Sequence, residues 1–191
     1  LYKFTTSYAY IKLFPYAMGT FSFKDRDETV YTEAFLNKLK AEVANLANVA
    51  LTDKELEYMT RNCRFLPRVY WEWLSSFRFQ PEKIDIYLDE EHHLNIEITD
   101  YLYKSTLYEV PLLAIVSEIK NQTQGNVANP EEIICKLSEK VVLSNEHQLS
   151  FSEFGTRRRF SFDVQDRVIS YLKKSAHYCT GTSNCYFAMK Y

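Results

Sequence analysis

Glycine is scarce in this chain of 191 residues: four residues, against thirty aromatics, of which fifteen are Tyr, thirteen Phe and two Trp. A fold built on glycine-rich phosphate loops needs more, and neither G-x-x-x-x-G-K-[ST] nor G-x-G-x-x-G occurs, so the common nucleotide-binding fingerprints are excluded. With so few glycines, each is expected to mark a backbone position that a side chain would spoil. No apolar run approaches the roughly 18 residues of a membrane span. The four cysteines, Cys63, Cys135, Cys179 and Cys185, form no C-x-x-C pair. They read as reduced packing thiols, and with no signal-peptide pattern at the start the expected setting is cytoplasmic. Charge of one sign is lacking too. Lys plus Arg number 23 and Asp plus Glu 25, for a net charge of −2, which argues against a nucleic-acid or membrane-surface partner. What remains is an ordinary globular composition, 46% hydrophobic and 25% charged, long enough to bury a sizeable core.

Periodicity divides the chain. Leu1 to Phe14 carries apolar residues at helical spacing and stops at Pro15, and Ala17 to Phe23 alternates like a half-buried strand. Phe35, Leu39, Val43 and Leu46 share a helical face, Thr52 and Glu55 match a capping box, and Tyr70, Trp71, Trp73 and Phe77 mark a third, core-packed helix. After Pro81 the period becomes two: Ile84, Ile86 and Leu88, then Leu94, Ile96 and Ile98, joined by a polar linker with His92 and His93, form an expected hairpin. Val110 to Val116 reads as a buried helix with Pro111 in its first turn, Asn121 to Asn129 as a loop, and Asn129-Pro130 as a helix start.

The last 38 residues differ electrically: from Phe154 onward seven Lys or Arg face two Asp, leaving −7 on residues 1–153. Leu149 to Phe154 alternates like a strand and runs into Gly155-Thr156-Arg157-Arg158-Arg159. Ser161 then caps a helix with Val164, Val168 and Leu172 on one face. A second turn, Gly181-Thr182-Ser183-Asn184, follows 26 residues after the first. Strand, Gly-Thr turn and helix, twice over, is the grammar of successive β-α units, whose ligands sit on turns at the carboxyl ends of strands. The two turns are therefore expected to share a pocket holding three guanidinium groups, the aromatic Phe154, hydroxyl and amide donors and a helix N-terminus. That set suits a small, flat anion together with phosphate. The alternative is that Arg157 to Arg159 pair with surface acids. No nucleophile constellation is visible; His177 alone among the histidines is close to the proposed pocket in sequence.

The segment Phe151-Ser-Glu-Phe-Gly-Thr-Arg-Arg-Arg-Phe-Ser161 with Gly181-Thr-Ser-Asn184, together with Leu1-Tyr-Lys-Phe-Thr-Thr6, Phe77-Arg-Phe-Gln-Pro81 and Tyr108 to Glu118 (YEVPLLAIVSE), resembles the nicotinate phosphoribosyltransferase family in order and along the whole chain. The resemblance implies an α/β fold: an α+β N-terminal domain, residues 1–106, followed by the first part of an irregular type II phosphoribosyltransferase α/β barrel, residues 107–191. It implies an ATP-dependent enzyme joining nicotinate to phosphoribosyl pyrophosphate, with Mg²⁺ as cofactor, in a homodimer with shared active sites. The substrate-binding residues it implies are Tyr2 (from a partner chain), Phe154, Gly155, Thr156, Arg157 and Ser183, with Lys24 as a looser phosphate contact. Phe154 and Tyr2 would sandwich the pyridine, Arg157 would bind the carboxylate or product phosphate, and Ser183, where nicotinamide-using relatives carry an acid, would lie near the carboxylate. The catalytic phosphohistidine of the family falls C-terminal to Tyr191, so this segment by itself is expected to be inactive. A non-enzymatic module for a small anion, or a relative using nicotinamide or quinolinate, is the competing reading.

Overall fold

The computed structural model describes residues 1–25, 29–126 and 128–191. Helix α1 (Tyr2–Leu13) ends before Pro15 and lays Phe4, Tyr8 and Ile11, one helical stripe, against a cluster of buried aromatics. Its fully buried Ser7 donates to the Tyr103 carbonyl at 2.7 Å. Three antiparallel strands follow in the order β1-β3-β2: β1 (Met18–Ser22), β2 (Ile84–Leu88) and β3 (Leu94–Tyr101). Met18 stands opposite Tyr101 and Ile84 opposite Ile98. The period-two apolar residues Ile84, Ile86, Leu94, Ile96 and Ile98 are buried on one face, as their alternation requires.

Helix α2 (Glu33–Ala44), capped by Thr32, covers that face with Phe35, Leu39 and Val43; a 3-10 turn over Asn45–Asn48 adds Leu46. Helix α3 (Asp53–Asn62) opens on the expected capping box, Thr52 Oγ1 accepting from the Glu55 N–H at 3.3 Å and Glu55 Oε2 from the Thr52 N–H at 2.9 Å. Helix α4 (Arg68–Ser76) buries Tyr70, Trp71 and Leu74. Phe77 and Phe79, just beyond it, pack against both the sheet cluster and the α3–α4 cluster, with Phe79 edge-on to Tyr108 at 4.9 Å.

The spine of the fold is α5 (Leu102–Thr123). Here the structure corrects the sequence reading: Pro111 lies in the helix interior, not in its first turn. Its missing N–H deprives the Leu107 carbonyl of a bond, a cost of about 3 kcal/mol. Burial of Leu107, Tyr108, Leu112, Ala114, Val116 and Ile119 along the same helix offsets it. The helix also continues to Thr123, shortening the expected loop, of which Val127 lies outside the described residues. The expected domain boundary at residues 106 and 107 falls inside α5.

Beyond it come α6 (Pro130–Glu146), capped by Asn129; β4 (Phe151–Glu153); a 3-10 turn over Thr156–Arg158; α7 (Phe162–Ser175), capped by Ser161; β5 (Cys179–Thr182); and α8 (Cys185–Lys190), capped by Asn184. Strands β4 and β5 pair in parallel, as two successive β-α units should. β4 is shorter than the alternation suggested. The buried stripe of α7 is Gln165, Ile169 and Leu172, one position round from the expected face. Gln165 tolerates burial because its amide donates to Glu153 Oε1 at 2.8 Å. Among the described residues no helix is long and apolar enough to cross a membrane.

Candidate functional site

Parallel pairing brings the carboxyl ends of β4 and β5 side by side, so the turns after them meet. They edge a cavity of about 590 Å³ whose lining includes Tyr2, Phe154, Thr156, Arg157, Ser183 and Asn184 on the polar side. Leu51, Met59, Leu74, Phe77, Leu107 and Pro111 line its apolar side. Of the six residues expected to bind substrate, Tyr2, Phe154, Thr156, Arg157 and Ser183 line this cavity. Gly155 instead borders a second one, of about 720 Å³, which also touches Phe154 and Arg157. Phe154 is 75% exposed at the junction. A large ring left in water beside a cavity offers a flat apolar face that a ligand could cover.

The acid that ties the turns together escaped the sequence reading. Glu153 closes β4; its Oε1 accepts from the Gly155 N–H and from Gln165, and its Oε2 accepts from Thr182 Oγ1 at 2.6 Å. Its backbone carbonyl takes the Ser183 N–H at 2.8 Å. Asn184 Nδ2 then donates to Thr156 Oγ1 at 3.1 Å, a second tie between the turns. A Cβ on Gly155 would stand 3.0 Å from Glu153 Oε1, and Gly181, at φ 141°, adopts backbone that L side chains rarely reach. The signal was present in the sequence: a carboxylate two residues before a turn can accept the turn's own N–H.

The three arginines separate. A 3-10 turn rotates each residue by about 120° from the last; Arg157 lines both cavities and Arg158 only the second. Arg159 turns away to pair with Glu118 at 3.1 Å, lying over the Phe162 ring. The expected three-guanidinium pocket is corrected to one guanidinium, and the surface-pairing alternative holds for Arg159. The expected open helix N-terminus is corrected as well: Asn184 Oδ1 already accepts from the Tyr186 and Phe187 N–H groups of α8.

Arg157 is anchored across the molecule. Its Nη1 reaches Glu109 Oε1 on α5 at 2.6 Å and the Tyr2 hydroxyl at 3.5 Å. Glu109 also accepts from the Tyr2 hydroxyl at 3.0 Å and pairs with Lys3. Partial burial pushes the Glu109 carboxyl up, but the hydrogen bonds from Lys3, Tyr2 and Arg157, with the charge of Lys3, bring it below its ordinary value. Burial and the Glu109 carboxylate raise the Tyr2 phenol, which therefore stays protonated and donating. Leu1 N donates to the Ser183 carbonyl at 2.7 Å, pinning the start of α1 to the second turn. The chain's own Tyr2 thus lines the cavity, where the family resemblance placed a partner's.

No histidine lines either cavity. His177 is exposed, its N–H bonded to Asn145; His92 and His93 sit at the hairpin turn; Lys24 is exposed past β1 and lines neither cavity.

These elements have counterparts in known proteins. The family model described as the nicotinate phosphoribosyltransferase (NAPRTase) N-terminal domain matches residues 1–117, and that of the NAPRTase family matches residues 149–191. The chain belongs to the nicotinate phosphoribosyltransferase family. A nicotinate phosphoribosyltransferase of Methanosarcina acetivorans is 36% identical across the whole chain, which covers 51% of that relative. One from Chromohalobacter salexigens is 34% identical, with 49% of its length covered. The crystal structure of nicotinate phosphoribosyltransferase from Porphyromonas gingivalis superposes with a TM-score of 0.96 at 41% identity, covering all of this chain and 49% of that one. The chain spans about half the length of the nicotinate phosphoribosyltransferases it matches. The matched segments carry every residue lining the first cavity: those of α1 and α5 lie in the first segment, both Gly-Thr turns in the second.

Proposed function

We propose that this chain is the base-recognition part of an enzyme that converts nicotinate and phosphoribosyl pyrophosphate to nicotinate mononucleotide and pyrophosphate with ATP hydrolysis, in NAD salvage. The observation that carries the reading is the convergence of Tyr2, Phe154, Arg157 and Ser183 on one cavity, in a chain of this family. Phe154 offers its exposed face to the pyridine ring, with Tyr2 as the second aromatic. The Arg157 guanidinium takes the carboxylate and Ser183 flanks it. The ring nitrogen attacks C1′ of the ribose as pyrophosphate leaves, through a cationic, oxocarbenium-like state. The step moves no proton, so holding the ring plane and the carboxylate in register is the contribution of these residues.

The Mg²⁺ of the family finds no carboxylate pair here. Glu55, the acid that lines the first cavity, is engaged in the Thr52 cap, and Glu109, behind the lining, is bonded to Lys3, Tyr2 and Arg157. The ion belongs with the phosphates of the substrates, and no step on this chain passes through it. The parallel β4-α7-β5 unit is the start of the barrel. The phosphorylated histidine lies outside this chain, leaving it inactive by itself, and the intact enzyme is a cytoplasmic homodimer. The test is conversion of nicotinate by the intact protein, with product identified by mass, alongside Arg157→Ala. Formation of nicotinate mononucleotide, with the KM for nicotinate raised about tenfold or more in the variant, supports the reading. No product, or an unchanged KM in Arg157→Ala, overturns it.

A further inference from the structure

Behind the cavity lining one carboxylate is shared by two cations, Lys3 and Arg157, which themselves line the cavity. Lys3 on α1 and Arg157 after β4 both pair with Glu109 on α5, and the Tyr2 hydroxyl donates to the same carboxylate. Glu109 is largely enclosed, its side chain only 17% exposed, so its charge is felt through little water. Both protein contacts of Arg157 use Nη1. Among the described residues nothing accepts from its Nε or Nη2, so one edge of the guanidinium is held while its other N–H groups are left without a protein acceptor. Lys3, Arg157 and Glu109 together carry one net positive charge, which one carboxylate neutralises. A ligand with two carboxylates would bring an excess negative charge against Glu109.

We propose that Glu109 is a positioning and specificity-determining residue: it fixes Arg157 by Nη1 so that the remaining N–H groups meet a ligand carboxylate side-on, and by cancelling one of two cations it selects pyridine monocarboxylates over dicarboxylates. The inference rests on the proposed function and deepens it. Loss of Glu109 raises the local charge to +2 and removes the repulsion that a second carboxylate meets. Loss of Lys3 lowers it to zero. A purely structural role for Glu109 would weaken both ligands together; a charge-setting role moves their ratio, and in opposite directions for the two substitutions.

The experiment is calorimetric titration of the intact protein with nicotinate and with quinolinate, its 2,3-dicarboxylate analogue, for wild type, Glu109→Gln, Lys3→Gln and the double variant, folding being checked by thermal melting. The expected result is an affinity ratio shifted about tenfold towards quinolinate in Glu109→Gln, shifted the other way in Lys3→Gln, and returned to the wild-type ratio in the double variant. A ratio unchanged in folded Glu109→Gln, or moving the same way in both single variants, overturns the proposal. Should Glu109→Gln fail to fold, Lys3→Gln decides: a shift towards nicotinate supports the proposal and an unchanged ratio overturns it. Wild type that binds neither ligand overturns the functional reading itself, whereas nicotinate binding with an unmoved ratio overturns only the role of Glu109.

Discussion

The sheet with helices α2 to α5 and the segment from α6 onward are held together by different means. The first buries Phe35, Leu39, Trp71, Tyr108, Ile96 and Ile98 almost completely, in two clusters that share α5. The second buries only four hydrophobic residues among those described, Val141, Ile169, Leu172 and Phe187. In place of a core it has the hydrogen bonds of Glu153 and Asn184 and three side-chain helix caps. Apolar packing is strong but non-directional, which suits a scaffold. Turns that must aim Phe154, Arg157 and Ser183 at one point are set by directional bonds.

The sharpest way to break the contrast is to damage each region by its own mechanism. Trp71→Ala should cost about 3–5 kcal/mol in denaturant unfolding of the intact protein, the range for removing a fully buried ring. Glu153→Ala should cost about 2 kcal/mol, felt locally: exchange of the Gly155 amide accelerates while the β3 amide of Ile96 keeps its protection. Loss of protection at Ile96 as well would show that the two regions do not differ as described. Phe154→Ala should leave stability within about 0.5 kcal/mol, because the ring is exposed, yet lower nicotinate affinity about tenfold. The smallest effect concerns pH. Glu109 is held below its ordinary 4.5, so its contribution to stability is complete above that value and is lost as pH falls through the lower, folded-state value. Acid unfolding followed by fluorescence should show this component in wild type and lack it in Glu109→Gln.

Much of the scaffold was legible because its signals are local. The caps at Thr52, Asn129 and Ser161 formed as read, and the period of two in β2 and β3 put Ile84, Ile86, Ile96 and Ile98 on one buried face. Pro111 misled because proline's helix-stopping cost is also local, whereas the burial that overrides it along α5 is not. In the candidate site, the pairing of the two Gly-Thr turns followed from repeated β-α spacing. Arg158 and Arg159 could not be separated from Arg157 by sequence, since their directions depend on the 3-10 turn. Glu109 and Glu153 looked like ordinary acids; only their partners single them out, Glu109 bonded to residues far from it in the chain.

The order of residues alone determined which segments coil, which extend, where helices begin, and that two alike turns follow two alike strands, because spacing and capping act over a few residues. Which arginine points into the cavity, which acid restrains it, and that Tyr2 from the first turn of the chain stands beside Arg157 were decided by the packing of α1, α5 and β4. Charges and hydrogen bonds act over a few ångströms of space, and the distance along the chain does not encode them.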